Sequence, residues 1–97
     1  MLQSSTLIFA QQGPFAEIYL DSLYKSSTSN FKNYKYKEAI ESSLLLIEEA
    51  KKSDHHYYHY QGHNILGGSY NDLNDTIRAK KHYEDALVYA QRTKVDT

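Results

Sequence analysis

The sequence predicts an all-α fold: antiparallel helical hairpins stacked as a short solenoid of about four helices. Three observations carry this. Helix breakers are scarce, with one proline and four glycines in 97 residues. Apolar residues recur over long stretches at the 3, 4, 7 spacing of one helix face. Two of those stretches also align on each other 40 residues apart. Tyr36-Lys37-Glu38-Ala39-Ile40 matches Thr76-Ile77-Arg78-Ala79-Lys80, and each leads to an alanine, Ala50 or Ala90. An offset of that size signals stacked helical hairpins.

The first helix is expected from Phe15, with Phe15, Ile18, Tyr19, Leu23 and Tyr24 on one face. The run Ser26-Ser27-Thr28-Ser29-Asn30 has weak helix propensity, so this helix either ends there or continues to about Asn33. A second helix spans about Lys35 to Lys52, its stripe made of Tyr36, Ala39, Ile40, Ser43, Leu44, Ile47 and Ala50. Glu38 and Glu41 sit early in it and Lys51-Lys52 at its end, the order the helix dipole favours. Ser53-Asp54 reads as a turn and N-cap for a third helix, from about His55 to Leu73. Asn74-Asp75 caps a fourth, from about Thr76 to Thr93, carrying Ile77, Ala79, Tyr83, Ala86, Leu87 and Ala90. The hairpins are thus about 15–53 and 54–94, within one domain over 15–97.

Residues 1–14 differ from the rest. They hold no charged side chain, and Leu7-Ile8-Phe9-Ala10 is a short apolar run closed by Gly13-Pro14. One reading is a signal-peptide remnant, although a basic n-region is missing; the other is a leader or frayed terminus. Under the first the chain is exported or periplasmic; under the second it is cytoplasmic. The ending Val95-Asp96-Thr97 reads as that of a piece of a longer protein.

Composition narrows the function classes. Eleven basic and twelve acidic residues give a net charge of −1, against the basic stripe of a nucleic-acid binder. Lys32, Lys35 and Lys37 interleave with Tyr34 and Tyr36, but Glu38 and Glu41 follow at once. No run of 18 apolar residues is present, so this segment does not span a membrane. Cysteine is absent, which removes thiolate metal sites and cysteine nucleophiles. No Gly-x-Ser-x-Gly elbow or Gly-Lys-Ser/Thr phosphate loop occurs. No catalytic residue and no cofactor is assigned, and the chain is not read as an enzyme.

Inside the second hairpin, Leu66-Gly67, Tyr70, Ala79, Tyr83 and Ala86 have a specific spacing. This pattern resembles the tetratricopeptide repeat. The resemblance covers residues 60–90; in the first hairpin Tyr36 and Ala39 carry it. His63 stands where the family usually has a large aromatic, and the 40-residue offset exceeds the family's usual one. The resemblance implies that small residues let paired helices approach while Leu66, Tyr70 and Tyr83 fill the seam. It also implies a scaffold that binds a protein or peptide in a groove lined by Gln61, Asn64, Gly68, Asn71 and Asp72. The basic pair with which some relatives clamp a terminal carboxylate is absent there. By the same resemblance, the chain is expected to be part of a larger bacterial sensor or regulator. The alternatives are a self-associating scaffold without a sensory role and a metal- or small-molecule-binding bundle. Two hairpins are fewer than the three such arrays normally need, so a homo-oligomer through exposed repeat ends is expected.

Residues 55–71 contain no Asp, Glu, Lys or Arg, as befits a helix sandwiched between neighbours. His55, His59 and His63 share one face. Neighbouring members such as His55 and His59 have a metal-ligand spacing, but a site needs a further ligand such as His82, His56 or Asp54. The competing reading makes His55 and His59 surface or interface residues and His63 a packed one. Reference histidine pKa values near 6.5 would charge this helix at about pH 5–6.

Overall fold

A computed structural model describes residues 14–96. It contains α1 (Pro14–Lys32), α2 (Tyr36–Lys52), α3 (His56–Asp72) and α4 (Thr76–Asp96), and no strand among the described residues. The leader expected over residues 1–14 lies outside them except for Pro14. That residue opens α1, where a missing N–H removes no helical hydrogen bond.

Helix α1 runs unbroken through the serine-rich stretch. Ser27 Oγ donates to the Leu23 carbonyl at 2.8 Å and Asn33 Nδ2 to the Ser29 carbonyl at 2.9 Å. Polar groups that would otherwise compete with the helix are thereby turned onto its own backbone, and Ser27 is fully buried. Helix α4 extends past Thr93 to Asp96.

The three connections are built alike. Each has three residues, and the middle one is left-handed: Tyr34 (φ 61°), Asp54 (φ 53°) and Asn74 (φ 66°). The N–H after each donates five residues back: Lys35 to Asn30 at 2.8 Å, His55 to Ala50 at 2.9 Å, Asp75 to Tyr70 at 2.8 Å. This is the Schellman closure of a helix. The carbonyls of Lys35, His55 and Asp75 then accept from Ala39, His59 and Ala79, starting the next helix. One stop-and-start device thus recurs at 20-residue intervals, and the 40-residue offset is two of its steps. Asp75 caps α4, with Oδ1 accepting from the Arg78 N–H at 3.1 Å. The cap expected from Ser53-Asp54 is not formed. Ser53 Oγ donates back to Glu49 at 2.9 Å, and the N-cap of α3 is His55, which makes no side-chain cap bond.

Helix α3 packs against all three others. Its three glycines face three neighbours. A Cβ on Gly62 would stand 2.5 Å from Ile47 Cγ1 on α2, one on Gly67 2.7 Å from the Tyr83 ring on α4, and one on Gly68 3.1 Å from Phe31 on α1. Leu20, Leu46, Ala50 and Tyr58 form the core where α1, α2 and α3 meet. Two hydrogen bonds tie the rims: Tyr58 Oη to Asp21 Oδ1 at 3.3 Å, and Tyr36 Oη to Asp72 Oδ2 at 2.8 Å.

The buried faces of the outer helices differ from expectation. On α1 they are Ala16, Leu20 and Ser27, while Phe15, Ile18 and Tyr19 point outward. Ala16 and Ser27 are small enough to sit beneath a neighbouring helix; the larger side chains border it. In α2, Leu46 is fully buried and Leu44 half-exposed, because Leu46 shares a face with Ala39, Ser43 and Ala50. In α4, Ala79 and Ala86 are buried but Ile77 and Leu87 are exposed, since no described helix covers the outer side of α4.

Close approach at Gly67 sets the spacing of α3 and α4. Gly67→Val is expected to destabilise the protein by about 2–3 kcal/mol through overpacking against Tyr83, although valine is the better helix former. Urea unfolding checks this; an unchanged midpoint would contradict the packing described.

Candidate functional site

Two regions collect the polar and aromatic chemistry of the chain. The first is the outer row of α3. Asn64, Asn71 and Asp72 are exposed, while Gln61 and Gly68 are partly covered. Gln61 Nε2 donates to Tyr57 Oη at 3.2 Å, and Asp72 is held by Tyr36. Gln61, Asn64, Gly68 and Asn71 follow one another along one face at helical spacing. Gly68 brings Phe31 of α1 against the backbone of α3. An open groove of about 580 Å³ runs along α1, lined by Tyr24, Lys25, Thr28, Ser29, Lys32 and Asn33.

Of the expected packing residues, Leu66, Ala79, Ala86 and Ala39 are buried, and Tyr70 and Tyr36 half-buried. Gly67 lies beneath the ring of Tyr83, a residue that is 42% exposed. Tyr83 thus covers the seam from outside rather than plugging it.

The second region is the α3–α4 seam, where aromatic rings follow one another with their planes nearly parallel. Tyr89 stacks on His59 with centroids 3.6 Å apart, and His59 is followed by His63 at 5.2 Å. His63 and His82 have centroids 5.3 Å apart and planes 24° apart, but their Nδ1 atoms are only 3.1 Å apart. The nitrogens therefore lie between the rings, which meet edge to edge in an N–H···N hydrogen bond instead of a stack. Tyr70 follows His82 at 5.6 Å. Arg92 covers Tyr89 at one end and Arg78 covers Tyr70 at the other, 5.0 and 5.6 Å from the ring centroids, each in a cation–π contact. Asp85 Oδ2 lies 4.0 Å from His63 Nδ1.

Chain geometry explains the convergence. The three-residue turn centred on Asn74 folds α4 back along α3, so residues equidistant from Asn74 meet. His63 meets Asp85, His59 meets Tyr89, and Tyr70 meets Arg78. His82 and Asp85, three residues apart, share one face of α4. Sequence reasoning named His82 only as a possible extra ligand and missed Asp85, although reflection about Asn74 was available to find it.

His55 and His59, which share a face of α3, have different surroundings. His55 lies against Tyr58 at 4.8 Å, and His56 pairs with Asp54 at 3.2 Å. His59 is not a surface residue but 5% exposed. Burial pushes the His59 and His63 imidazoles down to about 4, with mutual repulsion and Lys51 adding to the shift of His59. At His63 burial outweighs the opposing pull of Asp85. His82 is lowered as well, chiefly by burial. The expectation that α3 charges at pH 5–6 is thus corrected for His59 and His63, which stay neutral there. A neutral pair suits the 3.1 Å contact, in which one Nδ1 donates and the other accepts.

Protonation then opposes folding. Histidines of the unfolded chain bind protons near pH 6.5, whereas His59 and His63 in the fold resist until about pH 4. Their stability contribution is full above the unfolded value and is lost as pH falls toward the folded one. The expected loss between pH 7.5 and 5 is on the order of 2 kcal/mol per histidine. His59→Phe, which can keep a stack on Tyr89, should shrink that loss. Urea midpoints at the two pH values check this, and an equal loss in wild type and variant would refute it.

Among the described residues no helix is long and apolar enough to cross a membrane. Comparison with known proteins found no matching family model, no similar curated protein and no similar solved structure.

Proposed function

We propose that this chain is a protein-interaction module that takes an extended polar peptide along the face formed by α1 and α3. The observation that carries this is the juxtaposition of the two helices at Gly68 and Phe31. Tyr24 of the α1 groove also meets Tyr57 edge-on, and Tyr57 accepts from Gln61, the first of the amide row Gln61, Asn64 and Asn71 on α3. Asn side chains offer both donors and an acceptor to a peptide backbone. Lys25 and Lys32 give the groove a basic edge, Lys25 being shared with Asp21 at 2.9 Å. The repeat resemblance at Leu66-Gly67, Tyr70, Ala79, Tyr83 and Ala86 supports the same reading. A role within a larger bacterial sensor or regulator rests on that resemblance alone.

Selection of random decapeptides on the 97-residue chain tests the proposal. Enriched peptides are expected to lose roughly tenfold affinity, about 1.4 kcal/mol, on Asn64→Arg, and to be indifferent to Glu84→Arg on the outer side of α4. Peptides insensitive to Asn64→Arg would exclude this face.

A second reading, self-association, has its own observation. Ile77 is 84% exposed and Leu87 60% exposed on α4, with Val88 beside them, an apolar edge of the kind that open repeat ends present. Light scattering at micromolar concentration should give a dimer that Leu87→Glu converts to monomer. A wild-type monomer at that concentration removes the self-associating scaffold and leaves the peptide reading intact.

A further inference from the structure

We propose that His63, His82 and Asp85 form a binding site for a divalent transition-metal ion of the zinc class, clamping α3 to α4. Their donor atoms all lie within 4.8 Å of one another. The two Nδ1 atoms are 3.1 Å apart. With zinc–nitrogen bonds near 2.0–2.1 Å, two nitrogens on one tetrahedral ion stand about 3.3 Å apart. The pair is therefore already at nearly the required separation; the ring whose Nδ1 donates must first shift its proton to Nε2, after which the two Nδ1 lone pairs tilt from each other toward a shared point. Asp85, one turn after His82, brings its carboxylate to 4.0 Å from His63 Nδ1, and a change of side-chain rotamer closes the remainder.

The surroundings favour this use. His63 is buried and His82 half-buried, so the imidazole donors are oriented by their packing. Tyr70 lies along His82 and His59 along His63, which limits rotation of both rings. The Asp85 side chain is 44% exposed, leaving an entrance for the ion and a fourth position for water. Two imidazoles and one carboxylate suit zinc, cobalt, nickel or copper; magnesium and calcium prefer oxygen sets. Lys51 and Lys81 lie near enough to act electrostatically on His63. They carry the same sign as the ion, and Asp85 acts on His63 against them. Sequence spacing alone pointed to His55 and His59; the fold selects a pair drawn from two helices instead.

This site is independent of the peptide-binding reading, and the two can fail separately. The test uses the tag-free 97-residue chain at pH 7.5, titrated with zinc chloride and, as a control, magnesium chloride. Zinc in excess is expected to raise the thermal midpoint by roughly 5 °C or more, and magnesium to leave it unchanged. His82→Ala and Asp85→Asn, both at partly exposed positions, should keep the helical circular dichroism and lose the zinc shift, while His55→Ala keeps it. Cobalt(II) should give the visible absorption of a tetrahedral ion in wild type and not in His82→Ala. No zinc shift in wild type overturns the proposal. So does a shift that survives in His82→Ala, since the ion would then sit elsewhere.

Discussion

The structure depends on how closely three helices can approach α3. Helix axes pack about 8–10 Å apart, the distance set by the side chains between them. Helix α3 places Gly62 against α2, Gly67 against α4 and Gly68 against α1, so each neighbour meets bare backbone at one point. Three glycines inside a 17-residue helix cost helix propensity, about 1 kcal/mol each, and packing must offset that. At the buried positions of residues 55–71, the absence of Asp, Glu, Lys and Arg follows from the same constraint, because a charge enclosed by three helices would need a partner.

What fills the α3–α4 seam is less usual. Instead of aliphatic side chains, the helices bring together imidazoles and phenols, with arginines covering both ends. Such rings pack as apolar surfaces when neutral and keep in-plane nitrogens available to one another. Buried polar groups must be satisfied, and the His63–His82 contact does this for the pair. The same feature gives the seam its sensitivity to acid and its capacity to hold an ion: neutral imidazole is the form that hydrogen-bonds here and the form that ligates.

Much of this was legible in the sequence. The start of α2 and both ends of α3 fall within one residue of expectation, because charge order marks α2 and turn residues flank α3. The outer helices were harder. An apolar stripe identifies a core face only when the opposite face is polar, and α1 and α4 carry large apolar side chains on both sides. Phe15, Ile18, Ile77 and Leu87 therefore misled, while Ala16, Leu20 and Ser27 hold the buried positions of α1. The 20-residue step was illegible for another reason. Its left-handed residues are Tyr34, Asp54 and Asn74, and only the last two belong to types that favour that conformation. The metal-capable cluster needed the register of α3 on α4, which periodicity within one helix does not contain.

The claim that α3 organises the fold is tested most directly by native-state amide hydrogen exchange. Amides from His59 to Ser69, inside the helix that all others contact and past its unpaired first turn, should exchange slowest. They should open only with global unfolding, while those of α1 and the second half of α4 exchange through local opening. Protection in α3 equal to or below that of α1 would contradict it, and would place the structural centre in another helix.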